Sequence, residues 1–227
     1  MLAIILMVAM VSCKKDSASD NNGGNGGGGS DPTNVHEYVD LGLPSGNLWA
    51  TCNIGATNPQ DEGDLFAWGE TETKNHYDWD NYKYCDNNGM IKYTDEDGLY
   101  LLEASDDAAT VNWGGGWQTP SCDDFEELQA HTMCGLVYST IGTKRMVFLR
   151  CIGFNGNYIE LPVGFQSEEG YYLSYWYWSN TRHDNDCAYI YFIPSHYEQG
   201  FIFGTTLNQM GTHRCEGNHI RPILSPR

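Results

Sequence analysis

The sequence predicts an α+β domain hung on a flexible N-terminal tether. Three observations predict it. Residues 14–34 are rich in Gly, Asn and Ser and hold no aromatic or large aliphatic side chain. Two short, capped helical patterns then appear inside the domain. After about residue 135 the pattern changes to short extended segments punctuated by Gly and Asn. Helices followed by many short antiparallel strands and long loops make an α+β arrangement.

The tether follows an unusual start. Residues 1–12 carry no charge and almost no polarity. A run of this length falls short of the ~20 apolar residues that span a bilayer, and it has the length of a signal-peptide h-region. It ends Met10-Val11-Ser12-Cys13, which resembles a lipobox, in which the Cys is acylated and becomes the new N-terminus. A signal peptide normally opens on Lys or Arg and this run opens Met1-Leu2, so the translation start is expected a few codons upstream. Gly- and Asn-rich chain has nothing to bury against its ordering entropy and behaves as a linker. The expected layout is a signal peptide over 1–12, lipidated Cys13 and tether over 13–34, and a folded domain over 35–227. Lys14-Lys15-Asp16 resembles the short charged signals that send some lipoproteins of Bacteroidota-type bacteria to the outer face of the outer membrane.

The formal net charge is −18. Such a surface repels phosphates and anionic headgroups, so no nucleic acid partner is expected and the membrane is reached only through the lipid. The chain holds 15 Tyr, 7 Trp, 8 Phe and 26 Gly. That mixture suits both a Gly-punctuated core and a loop-rich binding surface. With Cys13 assigned to lipid, seven cysteines remain: Cys52, Cys85, Cys122, Cys134, Cys151, Cys187 and Cys215. An odd number leaves one free or pairing between chains. No CxxC spacing points to zinc. Connectivity is open from spacing; Cys187 and Cys215, which flank two expected strands, are the preferred disulfide.

Along the domain, Glu37 to Ala50 reads as a hairpin around Pro44-Ser45-Gly46. Asp64 to Glu70 reads as a short strand, and 71–98 as a long surface loop. Ser105 is placed to cap a helix over 106–111, with Asp106 and Asp107 in the first turn. Ser121 is placed to cap Cys122 to Ala130, with Phe125 and Leu128 on one face. Strands are expected at 146–152, 158–161, 175–179, 188–193, 200–203 and 219–223.

These residues resemble a known family. Tyr38-Val39-Asp40-Leu41-Gly42-Leu43-Pro44-Ser45-Gly46, Leu48-Trp49-Ala50-Thr51-Cys52-Asn53 and Phe66-Ala67-Trp68-Gly69-Glu70-Thr71 look like the Fibrobacter succinogenes major paralogous domain. So do residues 106–117, Phe125-Glu126-Glu127-Leu128, Tyr177-Trp178-Ser179 and Ile220-Arg221-Pro222-Ile223. The resemblance covers about 37–224. It implies a C-type-lectin-like fold with two helices, small antiparallel sheets, long loops and adjacent termini. It also implies an exported protein. Relatives often carry a second Cys soon after the one matching Cys85; here that stretch reads Ile91-Lys92-Tyr93-Thr94, which makes Cys85 the candidate unpaired thiol. The calcium-dependent sugar motifs of true C-type lectins are absent, and Trp178-Ser179-Asn180 is only an echo of them.

Trp49, Trp68, Trp113, Trp117 and Trp178 read as structural, and Arg221 as a tie for the C-terminal strand. The functional expectation falls on the turns of 180–218, which the resemblance places on one exposed face. There Asn180, Arg182, His183, Asp184, Asp186, His196, Tyr197, Glu198, Asn208, His213 and Arg214 combine adaptable hydrogen bonding with anchors. A glycan or protein ligand, bound in an adhesion-like way, is the expected partner. No cofactor is expected, although Asp184 and Asp186 could offer hard oxygens to calcium. Three other classes each carry a requirement of their own. A variable binder diversified by a retroelement would have a template repeat and a reverse transcriptase gene beside it. A structural subunit of a surface appendage would need a polymerisation signal, and none is visible. An enzyme of the formylglycine-generating type would need a base or metal set beside Cys187 and Cys215, so no enzymatic activity is expected. A mass spectrum of the mature protein tests the anchor: the expected N-terminal peptide begins at an acylated Cys13, and a peptide retaining residues 1–12 would refute it.

Overall fold

A computed structural model describes residues 36–167, 170–193, 197–198, 201–202 and 207–226. The signal-peptide run, Cys13 and the tether lie outside these residues, as does His196. Small antiparallel sheets with few helices make up the domain, an α+β architecture.

The domain opens with the expected hairpin, β1 (Tyr38–Val39) and β2 (Leu48–Ala50), paired Tyr38 to Ala50 and Val39 to Trp49. Its turn closes through Gly46 N–H on the Leu43 carbonyl at 2.9 Å. Gly46 sits there at φ +75°, where a side chain would be strained. The loop that follows contains a small hairpin, β3 (Cys85–Asp86) with β4 (Gly89–Met90). Then come α1 (Ala108–Trp113), β5 (Trp117–Gln118) and α2 (Cys122–Ala130). A four-stranded meander follows: β6 (Thr132–Ile141), β7 (Lys144–Gly153), β8 (Tyr158–Ser167) and β9 (Gly170–Tyr172). β10 (Tyr177–Arg182) and β11 (Cys187–Phe192) precede the short pair β12 (Tyr197–Glu198) and β13 (Phe201–Ile202). β14 (Asn208–His213) then joins β11, and β15 (Ile223–Leu224) returns between β2 and β5. Both ends of the domain thus share one sheet, ordered β1-β2-β15-β5.

Helix α2 starts where expected. Ser121 and Asp124 form a capping box, the Ser121 hydroxyl accepting from Asp124 N–H and the Asp124 carboxylate from Ser121 N–H at 2.7 Å. Helix α1 starts later than the sequence suggests. Its cap is Asp107, whose Oδ1 accepts from Ala109 N–H at 2.9 Å, and not Ser105. Asp107 is buried and also accepts from the Thr119 N–H and hydroxyl, so the cap doubles as a tie to the strand after it. The segment 64–70 is not a strand. The amides of Asp64, Phe66 and Trp68 bond in turn to three separate carbonyls, those of Ile54, Asn218 and Arg214, Glu70 N–H closes a turn on the Ala67 carbonyl, and the segment makes a single bridge, Phe66 to Asn218. β6 and β14 are not among the strands the sequence predicts; both carry polar or Gly residues that break the alternating pattern.

Two large cores flank β10 and β11. Successive residues of a strand point to opposite faces, and both faces here are apolar. Tyr177 and Tyr191 enter one core with Trp49, Phe125, Leu128, Val147, Leu149, Leu161 and Ile223. Trp178, Ala188 and Ile190 enter the other with Phe66, Trp68, Tyr82, Tyr84 and Tyr93. Trp49, Trp68, Trp117 and Trp178 are buried, and the half-buried Trp113 stacks on His36 at 3.7 Å. Two reciprocal indole bonds lock the second core: Trp68 Nε1 donates to the Ser179 carbonyl at 2.9 Å, and Trp178 Nε1 to the Phe66 carbonyl at 2.7 Å.

Arg221 is fully buried just before β15. Its guanidinium donates to Asn53 Oδ1 at 2.7 Å and to the carbonyls of Thr51, Ala50 and Glu160 at 2.8, 3.2 and 3.1 Å. Burial pushes its pKa down to about 10, still well above neutral pH. One side chain therefore joins the loop after β2, the meander and the C-terminus. Arg221→Met would keep the apolar stem and strand four acceptors. An expected loss of roughly 2–4 kcal/mol in urea unfolding follows from the cost of buried unmade hydrogen bonds; an unchanged midpoint would show the tie to be dispensable.

Candidate functional site

The turns of 180–218 do not form the single exposed face that was expected. Arg182 and Arg214 are the largest departures, because both lie inside the protein at 2% and 0% exposure. Tyr93 explains why. It holds φ at 58°, a left-handed conformation uncommon for a bulky residue. Its carbonyl accepts Arg182 Nη1 at 3.0 Å and Arg214 Nη1 at 3.0 Å. Arg182 also pairs with Asp95 at 2.7 Å and lies under the Tyr100 ring. Arg214 stacks beneath Trp68 and Tyr82, and burial lowers its pKa. The Tyr93 hydroxyl completes the knot: it donates to Asp106 Oδ2 at 2.7 Å and accepts from Glu103 N–H. Burial opposes ionisation of Asp106, but hydrogen bonds from Lys92 at 2.6 Å, Tyr93 and Lys83 hold its carboxyl well below the usual range. These two arginines are interior ties, not ligand contacts.

Asn180 is half-buried in β10, with its backbone held between Leu102 and Pro120. Tyr197 and Glu198 pair their backbones in β12 and β13, and their side chains fall outside the described set, as does His196 altogether. Asn208 is exposed at the start of β14, opposite Phe192. Five residues further on, at about 3.3 Å per residue, His213 lies at the other end of the strand opposite Cys187.

Four of the expected residues do come together at that end. His183, Asp184 and Asp186 lie in the turn joining β10 to β11, and His213 ends the neighbouring β14. The His183 ring covers Gly211; a Cβ at Gly211 would approach within 2.9 Å of it. His183 meets Tyr189 edge-on at 4.8 Å and Asp184 at 2.8 Å. His213 leans on Trp79 at 5.5 Å and lies 3.9 Å from Glu216. Two outward groups result at this end of the sheet: His183 with Tyr189 and Asp184, and His213 with Trp79 and Glu216. Trp79 and Tyr189 were missed by sequence reasoning. Their only signal was being aromatic in polar surroundings.

The Asp184 carboxylate is committed elsewhere. Asp184 Oδ1 accepts from Asp186 N–H at 2.9 Å and Cys187 N–H at 2.8 Å, and its other oxygen faces His183. These bonds and His183 lower its pKa against the opposing effect of burial. Asp184 thus shapes the turn. Among the described residues no group of three or more His, Cys, Asp or Glu side chains gathers where a metal could be held.

Cys187 and Cys215 are both free thiols, which corrects the expected disulfide. Cys187 faces His213 in the ladder, whereas Cys215 lies two residues beyond it and is buried in the second core. Cys85 is free too, as are Cys122, Cys134 and Cys151, so parity does not single it out.

A separate cleft of about 200 Å³ lies between the 60–62 loop and the tip of the β6–β7 hairpin, lined by Gln60, Asp61, Glu62, Ile141, Lys144 and Met146. It is smaller than the roughly 300–1,000 Å³ of small-molecule sites. Among the described residues no helix is long and apolar enough to cross a membrane. Compared with known proteins, the chain matches no protein-family model, no curated protein and no solved structure.

The separation of patch from interior is testable by stability. Arg182→Ala and Arg214→Ala are each expected to cost roughly 2 kcal/mol or more, since each strips buried hydrogen bonds. His183→Ala and His213→Ala, at exposed positions, are expected to stay within about 0.5 kcal/mol of the parent. Equal melting temperatures for all four would refute the division.

Proposed function

We propose that the protein is a surface lipoprotein of the outer membrane, anchored through Cys13, whose C-type-lectin-like domain binds an extracellular glycan or protein ligand. The observation that carries this reading is the set of outward side chains at one end of the three-stranded sheet: His183 against Tyr189, the exposed Asp186, and His213 against Trp79. Aromatic rings supply contact area at low entropy cost, and imidazoles and carboxylates supply hydrogen bonds of both polarities. His183, Asp186 and His213 are exposed, which suits a ligand that lies across a surface better than one enclosed in a pocket. The resemblance of the opening, Trp-Gly and closing motifs to the Fibrobacter succinogenes major paralogous domain supports the lectin-like assignment. So do the sheet that joins the two ends of the domain and the pair of short helices. The tether of 13–34 supports outward display. The recognition surface is smaller than the 180–218 span suggests, because Arg182 and Arg214 are withdrawn from it.

Glycan and protein-ligand arrays probed with domain 35–227, with and without calcium, test this reading. The expected result is binding that is unchanged by a chelator, because the Asp184 oxygens are already occupied by backbone amides and His183. It should also be lost or weakened about tenfold or more in His183→Ala and His213→Ala, the effect of removing ~1.4 kcal/mol of contact. A ligand whose binding survives both substitutions would place recognition elsewhere on the domain.

A further inference from the structure

The first two strands of the meander carry a feature that the ligand reading does not use. β6 and β7 run antiparallel over ten residues each with no slip in register, and they place Cys134 directly opposite Cys151. The two sulfurs are 3.0 Å apart as free thiols. The register fixes the kind of pair. The hairpin turns through Gly142 and Thr143, so Ile141 and Lys144 are the hydrogen-bonded pair next to a two-residue loop. Pairs then alternate outward, which makes Cys134 and Cys151 a non-hydrogen-bonded pair. Side chains approach most closely at such pairs, and their Cα separation of about 4.5 Å lies within the range that a disulfide spans. Both side chains point to the same side, where Cys151 packs with Val147 and Leu149 and Cys134 with Leu136.

We propose that Cys134 and Cys151 are a redox pair that closes to a cross-strand disulfide by exchange with an external disulfide, such as that of an exported oxidoreductase or of oxidised glutathione. The roles divide by exposure. Cys134 is half-buried and reachable, and Cys151 is fully buried. Sharing a proton between the two sulfurs lowers the Cys134 pKa and raises that of Cys151, so Cys134 is the first nucleophile. Its thiolate attacks one sulfur of the external disulfide, forming a mixed disulfide and expelling one thiolate. Cys151 then gives up its proton and attacks the Cys134 sulfur, expelling the second thiolate. Two protein thiols are oxidised to one disulfide, and the external disulfide is reduced to two thiols. Among the described residues no third His, Cys, Asp or Glu joins them as a metal ligand, which favours a cross-link over a metal site.

The full chain, incubated with oxidised glutathione, alkylated in denaturant and digested, tests the proposal. The expected map contains a peptide pair joined through Cys134 and Cys151, with both losing alkylation together and regaining it after reduction. In Cys151→Ser the resolving sulfur is missing, and Cys134 is expected to retain a glutathione adduct. Both cysteines remaining alkylated in the folded wild-type chain, or Cys134 joined to another cysteine, would overturn it. The wild-type map decides the matter even if the variant fails to fold.

Discussion

The burial of β10 and β11 on both faces is the constraint on which the rest of the domain depends. Tyr177 and Tyr191 belong to one core and Trp178, Ala188 and Ile190 to the other. A strand pair covered on both sides has little solvent face to give to a ligand. Much of what packs around it comes from segments far away in sequence: the Trp68 segment on one side, α2 and β7 on the other. The reciprocal bonds between Trp68 and Ser179 and between Trp178 and Phe66 show how closely the early loop is bound to the late strand. Arg221 performs the same service at the far end, joining the loop after β2 to the meander and to β15.

The cations follow from that arrangement. A polar chain end crossing a core leaves carbonyls without partners, and a guanidinium can satisfy several at once. Arg182, Arg214 and Arg221 all donate to backbone carbonyls. Tyr93 is the focus of two of them, and its left-handed backbone turns one carbonyl toward both. Withdrawing these charges leaves the nearby surface with imidazoles and carboxylates, so the outward patch is more acidic than the residue list of 180–218 suggests.

The sequence told helices more clearly than strands, for physical reasons. Ser121, Asp124, Phe125 and Leu128 carry a local signature, and α2 begins and ends where they put it. The β1–β2 hairpin was legible from its Pro-Ser-Gly turn. β14 was not, because Asn208, Gln209, Gly211 and Thr212 have neither alternation nor β-branched density; their strand conformation is imposed by the ladder with β11. Of the site, His183, Asp184, Asp186 and His213 were legible as polar turn residues and meet at one end of the sheet. Arg182 and Arg214 looked identical in kind, and only the long-range contact with Tyr93 separates them. The disulfide expectation failed on register: flanking the same strands placed Cys187 opposite His213, not Cys215. The pair that does face across a ladder, Cys134 and Cys151, needed β6 to be recognised as a strand first.

Recognition on this domain is thus confined by geometry more than by composition. Both broad faces of the β10–β11 pair are largely occupied, so among the described residues the side chains offered to a ligand here come from the turn at 183–186, the half-buried Tyr189, the outer strand β14 and loops reaching alongside, such as the one carrying Trp79. The turn is held by Asp184 through two backbone amides, and the strand is held in register along all six residues of β14. His183 and His213 are therefore presented from rigid supports, and ordering them on contact costs little entropy. The exposed side chains of His183, Asp186, Asn208 and His213 can change without disturbing either core, whereas Asp184 and Gly211 are held by the turn and by the His183 ring. The buried arginines and tryptophans next to them cannot change in the same way, because each satisfies or fills something that no neighbouring residue could.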